Sequence, residues 1–269
     1  MLKKMVNVYS LKGKVVGKVE MPKVFQTEYR PDLIQKAVVA LQSSRRQPYA
    51  NAEGSGMQSS ADYFGRRKGA YRMTINRGMS RLPREKTGGG GLGKVRLVPN
   101  SVGGRRSHPP KGKDWTKKIN NKEYMFALKS AIAATQNKEF IEERGHLLAG
   151  VHEVPMVVED LLEKIKKTRD VVEALAALGL DADLERADDK KIRAGRGKTR
   201  GRPYRKKKSA LIIVNKDAGI TKSARNIPGI DVIELGDLDI ELLAPGTHAG
   251  RLTVWTKSAF EGVDKVIEA

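Results

Sequence analysis

A glycine-rich run at residues 87–95, TGGGGLGKV, has the residue types of a nucleoside-triphosphate phosphate loop. Gly88, Gly93 and Lys94 stand at the spacing of that loop, in which backbone N–H groups and the lysine hold phosphates. The loop also needs Ser or Thr straight after the lysine, because that hydroxyl coordinates the magnesium ion of the nucleotide. Val95 offers no oxygen. The match is therefore incomplete.

Two other nucleotide-binding patterns are incomplete as well. The spacing G-x-G-x-x-G recurs at Gly88, Gly90 and Gly93, but it has meaning only between a buried strand and a helix. The preceding residues, RLPREK, are too polar for a buried strand. A second partial match, Gly197-Lys198-Thr199, has the required threonine but carries Ile192 where the first glycine should stand. An NTPase remains open only as an alternative.

Other catalytic or metal-binding constellations are weak in this sequence. There is no cysteine, which excludes disulfides and thiolate metal sites. The four histidines show no metal-ligand spacing, and paired carboxylates such as Glu142 and Glu143 are adjacent, so on a helix they point to different faces. No serine-centred nucleophile elbow is present. We expect no enzyme activity, no metal and no cofactor.

The charge of the chain is its most informative property. The 269 residues have a formal net charge of +21. Residues 45–118 contain 18 lysines and arginines against four acids, residues 190–208 contain 11 against none, and the remainder is slightly acidic. Such a distribution predicts a polyanionic partner, with nucleic acid favoured and an acidic membrane surface as the alternative. No window resembles a signal peptide or a membrane span, so we expect a soluble intracellular protein.

Hydrophobic periodicity places structural elements on both sides of the longer basic segment. We predict a hairpin over residues 5–20, a helix from Pro31, a helix after Asn120, a strand at residues 154–158 and helices at residues 161–167, 169–178 and 182–189. Thr168 is expected to cap the second of these last helices. Apolar runs at residues 211–214, 232–235 and 252–256 predict parallel strands with helical crossovers. Ser258 and Glu261 have capping-box spacing for the last helix.

These elements predict an α/β fold: a single globular domain with a mostly parallel sheet flanked by helices, plus a long extended basic loop. The body is expected to comprise residues 1–47 and 119–269, and the loop residues 48–118, where no strand or helical period is visible. The second basic segment, residues 190–208, lies within the body.

Both basic segments have the composition of RNA contacts. In the loop, aromatic residues such as Tyr49, Tyr63 and Trp115 alternate with arginines, and both planar groups stack on unpaired bases. The loop buries too little to fold alone, so we expect it to become ordered on RNA. A solvated loop without a partner is the alternative. The segment at 190–208 could instead be a nuclear-localisation signal, or serve both purposes.

Several stretches resemble one known family closely. They include RGMSRLPREK at residues 77–86, GGRRSHPPKG at 103–112, IRAGRGKTRGR at 192–202, RNIPGI at 225–230 and LAPGTHAGRLTVWTKSAF at 243–260. Together with KSAIAAT at 129–135, they are similar to the large-subunit ribosomal protein L-four family, in its archaeal and eukaryotic form. The resemblance extends over nearly the full chain and is weakest at residues 87–100.

The resemblance implies a structural protein of the large ribosomal subunit, without homo-oligomerisation. Its body would bind large-subunit ribosomal RNA, and its loop would reach the wall of the nascent-peptide exit tunnel beside the L-twenty-two family protein. The tunnel tip would lie around residues 72–84, with Arg77, Arg81 and Arg84 near the lumen and the nascent chain. The residues expected to contact RNA in the loop are Arg45, Arg46, Arg66, Arg67, Lys68, Arg72, Arg77, Arg81, Arg84, Lys94, Arg96, Arg105, Arg106 and Lys111. Those in the second segment are Arg193, Arg196, Lys198, Arg200, Arg202 and Arg205.

Two rival functions remain at this point. One is an RNA-dependent NTPase built on the C-terminal sheet, which would need an intact phosphate loop at a strand end. The other is a general nucleic-acid compaction protein, which would bind duplex DNA as well as RNA.

Overall fold

The chain forms two compact units. The computed structural model describes residues 4–63, 65, 74–87 and 91–268. Unit 1, here called the body, comprises Met1–Ser44 and Lys117–Ala269, and unit 2, here called the arm, comprises Arg45–Thr116.

Ten strands occur in the described residues. They are β1 Met5–Tyr9, β2 Val15–Glu20, β3 Arg84–Lys86, β4 Leu92–Val95, β5 Met156–Val158, β6 Lys191–Ile192, β7 Tyr204–Arg205, β8 Leu211–Val214, β9 Asp231–Glu234 and β10 Thr253–Thr256.

The body is built on a six-stranded sheet with the order β2-β1-β5-β10-β8-β9. Only the β1–β2 pair is antiparallel; the other four pairings are parallel. The central strands are buried on both faces. In β8, for example, Leu211 and Ile213 belong to one core and Ile212 and Val214 to the other. This is the arrangement of an α/β fold with helices on both faces, which confirms the fold class.

Eight α-helices occur in the described residues. They are α1 Pro31–Ser44, α2 Asn121–Ala134, α3 Lys138–Glu143, α4 Thr168–Ala177, α5 Asp181–Asp188, α6 Ile220–Ala224, α7 Ile240–Leu243 and α8 Lys257–Glu268. None of these helices combines the length and the apolar character that crossing a membrane requires.

The helices divide between the two faces of the sheet. Helices α1, α2, α7 and α8 supply one core, and α4 and α6 supply the other. An aromatic group stands at the centre of the first core, where the Phe25 ring lies 5.8 Å from that of Trp255 and 5.2 Å from that of Phe260. Helix spacing of apolar residues in α1 and α8 positions their buried faces. Both cores draw their residues from the body.

Two helix caps differ from the sequence prediction. Thr168 is the first residue of α4, and Lys167 occupies the cap position without a side-chain bond. Ser258 lies inside α8 rather than before it. Its backbone N–H and its hydroxyl both donate to Oδ1 of Asp160, at 2.9 and 2.8 Å. A carboxylate 98 residues away in sequence therefore supplies this cap, which local spacing cannot predict.

Two elements near residue 160 are shorter than expected. The strand predicted over residues 154–158 begins only at Met156, and Pro155 has no N–H to donate to a sheet. The helix predicted over residues 161–167 is a 3-10 turn, Asp160–Lys164, and Ile165 after it is extended.

Removal of the arm should leave the body folded. Ser43 Oγ accepts a hydrogen bond of 3.1 Å from the N–H of Lys117, so the chain leaves and re-enters the body at adjacent points. We expect a protein in which residues 45–116 are replaced by a Gly-Ser linker of about six residues to unfold in one cooperative thermal transition near the Tm of the full chain.

As a control, Ile213→Ala should lower Tm by the same amount in both proteins, since the cavity forms in the same core. A broad, non-cooperative transition of the shortened protein would show that the arm belongs to the folding unit of the body.

Candidate RNA interface

The two legs of the arm lie side by side. The N–H of Asn51 donates to the carbonyl of Pro110 at 3.2 Å. A Cβ added at Gly56 would lie 2.7 Å from Cα of Arg105, so the two backbones touch there. Residue numbers rise on one leg as they fall on the other. The legs therefore form one antiparallel stem, although neither has regular strand structure.

Further along the arm, strands β3 and β4 form a hairpin that the sequence did not predict. Arg84 is opposite Val95, and Lys86 is opposite Leu92. Asp62 lies beside β3 and forms two reciprocal backbone hydrogen bonds with Arg84, each 3.0 Å long. The strands are short and lack an alternating apolar pattern, and neither apolar core of the described chain includes an arm residue.

This hairpin rules against a phosphate loop. Lys94 lies within β4, an antiparallel strand, whereas a phosphate loop places its lysine at the start of a helix behind the glycines. No α-helix follows in the described residues of the arm. The second partial match, Gly197-Lys198-Thr199, lies in a short 3-10 helix, Gly195–Arg200. Gly88 and Gly90 lie outside the described residues.

The side chain of Arg96 donates its hydrogen bonds to other residues of the arm. Its Nε donates to Oε1 of Glu85 at 2.7 Å, and its Nη1 donates to the carbonyls of Val102 and Gly103, both at 3.3 Å. It thereby joins the end of β4 to the turn at residues 98–104. Gly103 adopts a positive φ of 73°, and a Cβ there would lie 1.9 Å from Nη1 of Arg96. Only glycine leaves room for this guanidinium.

Most of the other arm residues expected to contact RNA fall into three groups. Arg84 is half-buried, and its Nη2 donates to Oγ of Ser80 at 2.8 Å. Six of these residues are exposed and have no side-chain hydrogen bond or ion pair to another described residue: Arg77, Arg81, Lys94, Arg105, Arg106 and Lys111. Four residues of the expected interface lie outside the described residues: Arg66, Arg67, Lys68 and Arg72.

The second basic segment forms a small hairpin of its own. Strands β6 and β7 pair Lys191 with Arg205 and Ile192 with Tyr204. Arg193 stitches this hairpin internally, donating from Nε to the carbonyl of Arg202 at 3.2 Å and from Nη2 to that of Tyr204 at 3.3 Å. Of the residues of this segment that are expected to contact RNA, five are exposed and have no side-chain hydrogen bond or ion pair to another described residue: Arg196, Lys198, Arg200, Arg202 and Arg205.

The end of this segment is fixed to the body. Lys208 Nζ pairs with Asp231 at 2.7 Å, and the Lys208 carbonyl accepts from Nη2 of Arg186 at 2.7 Å. Lys207 Nζ pairs with Asp189 at 2.8 Å. The unpaired cations are thus presented from a hairpin with an anchored C-terminal end.

A buried carboxylate completes the anchor. Asp183 is fully buried and accepts hydrogen bonds from Ser209 Oγ at 2.6 Å, Arg186 Nε at 2.8 Å, His146 Nδ1 at 3.1 Å and the N–H of Leu147 at 3.1 Å. Burial alone would raise the pKa of Asp183, but the donors reverse this and hold the pKa well below its usual range. Burial also lowers the pKa of His146. Asp183 therefore stays ionised.

Metal ligation has no visible basis in the part of the chain that the structure describes. That part contains no group of three or more His, Asp or Glu side chains placed to hold an ion. Both basic segments present exposed cations, a chemistry that suits a polyanionic ligand.

Comparison with known proteins agrees with this chemistry. A model of the Ribosomal protein L4/L1 family matches residues 19–266. The chain belongs to this family. The large ribosomal subunit protein uL4 of Archaeoglobus fulgidus is 51% identical over 256 residues, which are 94% of this chain and 96% of the relative. The corresponding proteins of Methanosphaera stadtmanae and Methanopyrus kandleri are each 44% identical, over 95% and 96% of this chain and 95% and 97% of theirs.

In this member of the Ribosomal protein L4/L1 family, sequence reasoning missed the residues that support the interface. Asp183 and Arg186 stand three residues apart on α5 and meet Ser209, which lies just before β8. Arg251 was seen only as part of a family motif. One signal was available: Asp183 stands at a position of α5 that faces the core, where an unpaired carboxylate would be costly. Such a residue predicts a buried network, although not its partners.

Alanine at Gly103 should release the turn at residues 98–104 in the arm. Its methyl group would displace the Arg96 guanidinium, so the amides of Ser101 and Gly104, which donate to Val98 and Ser101, should exchange hydrogen faster. Hydrogen-exchange mass spectrometry of the full chain measures this.

Gly54→Ala is the matched control. Gly54 has a similar φ of 71°, but a Cβ there meets no other atom within 4 Å. Equal acceleration at residues 101–104 in both variants would contradict a steric role for Arg96.

Loss of the Asp183 carboxylate should destabilise the body strongly. Asp183→Asn leaves Arg186 without its buried partner, a change that costs about 3–5 kcal/mol. Folding lowers the pKa of Asp183, so the stability contributed by its ionised form is present above the unfolded value of about 3.9 and is lost as the pH falls below it. Denaturant titrations between neutral and acidic pH measure both effects.

The variant should therefore lose less stability than the wild type when the pH is lowered through this window. Asp188→Asn, an exposed carboxylate on the same helix, is the control and should change the free energy of unfolding little. A similar loss in both variants would contradict the role of the buried network.

Proposed function

We propose that this protein is a structural constituent of the large ribosomal subunit in the cytoplasm, and that it acts by neutralising and fixing folded ribosomal RNA. Family membership over most of the chain supports this role, as do relatives named large ribosomal subunit proteins. As a member of that family the protein binds ribosomal RNA and neighbouring ribosomal proteins, and it performs no catalysis.

The observation that supports RNA contact most directly is the pairing state of the cations. In both basic segments, some arginines hold the protein together and others face solvent with no partner among the described residues. An unpaired exposed cation gains by approaching a phosphate, because each neutralised phosphate releases a condensed counterion. The densest such group lies in the segment at residues 190–208, where every second position from 198 to 202 is basic: Lys198, Arg200 and Arg202.

Within the arm, we propose that residues 72–84 form the tunnel tip. Arg77 and Arg81 are exposed and unpaired among the described residues, which suits them for the lumen, the nascent chain or adjacent RNA. Arg84 is half-buried on Ser80 and would support the tip instead. The L-twenty-two family protein would be the neighbour at this point.

The rival functions are less well supported. Lys94, the lysine of the candidate phosphate loop, lies in an antiparallel strand, so the described part of the arm does not favour an NTPase. A general compaction protein would present its charge over a folded surface, whereas here the excess positive charge is concentrated in residues 45–118 and 190–208.

The salt dependence of RNA binding tests the proposal. Simultaneous replacement of Lys198, Arg200 and Arg202 by alanine should reduce the slope of log affinity against log salt concentration by about 2, since each phosphate contact contributes roughly 0.7 to 0.9. The measurement uses the full chain and deproteinised large-subunit ribosomal RNA of Archaeoglobus fulgidus, with duplex DNA as competitor.

Lys12, Lys14 and Lys18, three exposed lysines of the β1–β2 hairpin, provide a control with the same loss of charge. Equal slopes for the two triple variants would mean that only net charge matters. Equal competition by duplex DNA would favour the compaction protein.

A further inference from the structure

An aromatic cluster closes the base of the arm. Tyr49 and Trp115 stack with their ring planes 15° apart and their centroids 5.9 Å apart. The guanidinium carbon of Arg46 lies 3.8 Å from the Trp115 centroid and 5.6 Å from that of Tyr49. Lys113 Nζ lies 4.0 Å from the Trp115 centroid. We call these four residues the clamp; two stand on each leg of the stem.

The clamp uses a cation that the sequence assigned to RNA. Arg46 has its guanidinium over two aromatic rings, where the negative face of each ring attracts it. A guanidinium can stack and still present some N–H groups outward, but its position is set by Trp115. Arg46 therefore serves the internal order of the arm in the absence of RNA.

The clamp also stands at the start of a continuous stem. Beyond it, Ala50 faces Gly112, the N–H of Asn51 donates to Pro110, and Gly56 touches Arg105. Each contact continues the same antiparallel course. Neither apolar core of the described chain includes a residue of these legs, so the stacked rings provide an apolar contact that can hold the two legs together.

We propose that the clamp orders the stem before RNA binds, so that the arm meets ribosomal RNA as a preformed finger rather than as a flexible strand that becomes ordered on it. This rests on the proposed function for its RNA-binding consequence, and it changes the expectation drawn from composition. An arm that is already ordered loses less conformational entropy on binding, which raises affinity without any added contact.

The role of Trp115 is to position rather than to bind. Its indole Nε1 is buried and has no hydrogen-bond partner in the described structure, so its contribution comes from the faces of the ring. Phenylalanine keeps an aromatic face and should preserve most of the effect, whereas alanine removes it. This difference separates stacking from hydrogen bonding.

The first measurement is hydrogen exchange at Asn51 in the RNA-free full chain. Trp115→Ala should accelerate exchange at this amide, which donates across the stem, and Trp115→Phe should leave it near the wild-type rate. Tyr63→Ala truncates an exposed aromatic residue beyond the stem and should have no effect there. Unchanged exchange in Trp115→Ala would overturn the proposal, whatever the protein binds.

The second measurement is affinity for the same deproteinised ribosomal RNA as a function of salt. Trp115→Ala should bind about tenfold more weakly with an unchanged salt slope, because no cation is lost. Arg46→Ala should show a similar loss, and the double variant should be little weaker than either single variant. Additive losses, or a reduced slope in Arg46→Ala, would mean that Arg46 binds a phosphate independently of Trp115 and would overturn the proposal.

These outcomes separate the clamp from the proposed function. Failure of the wild-type protein to bind the RNA would refute the proposed function, while the exchange experiment would still decide whether the clamp orders the stem. Normal affinity of Trp115→Ala, beside tight wild-type binding, would refute the clamp alone.

Discussion

The guanidinium of Arg251 holds together the edge of the body at which the second basic segment ends. It is fully buried and donates to the carbonyls of Ser209, Gly229 and Leu242 at 2.8, 3.2 and 3.0 Å, and to the carboxylate of Asp231 at 2.6 Å. Removing such a charge from water costs several kcal/mol, which only a nearly complete set of acceptors offsets. The beginnings of β8 and β9 and the end of α7 are therefore held in one arrangement.

Basic residues in this protein divide into those that bind other groups of the protein and those that have no such partner in the described structure. Arg96 and Arg193 each donate to two backbone carbonyls of their own segment, and Arg251 donates to the Ser209 carbonyl inside the body. These three guanidinium groups therefore stabilise the fold. Other arginines a few residues away have no such partners in the described structure. Net charge alone therefore overstates the charge that is available to a ligand. The pairing state of each cation is the more useful quantity.

The fold class and most element positions follow from sequence, because the signals that specify them are local. The apolar run at residues 211–214 can only be a strand buried on both faces, and Pro31 can start a helix without losing a needed N–H. What sequence could not supply depends on distant partners: the cap of α8 by Asp160, the pin formed by Arg96, and the stack on Trp115. In the candidate interface, composition predicts two basic segments but cannot separate arginines that bind other protein groups from arginines that have no such partner in the described structure.

The order of the strands in the sheet determines how late in synthesis the body can fold. Strand β10 lies between β5 and β8, in the middle of the sheet, yet it is the last strand to be synthesised. Until Thr253–Thr256 leaves the ribosome that makes it, β5 and β8 have no shared neighbour and neither core is closed. The arm, in contrast, is complete by residue 116. For more than half of its synthesis, the nascent protein consequently contains the complete, strongly cationic arm before the sheet of the body is complete.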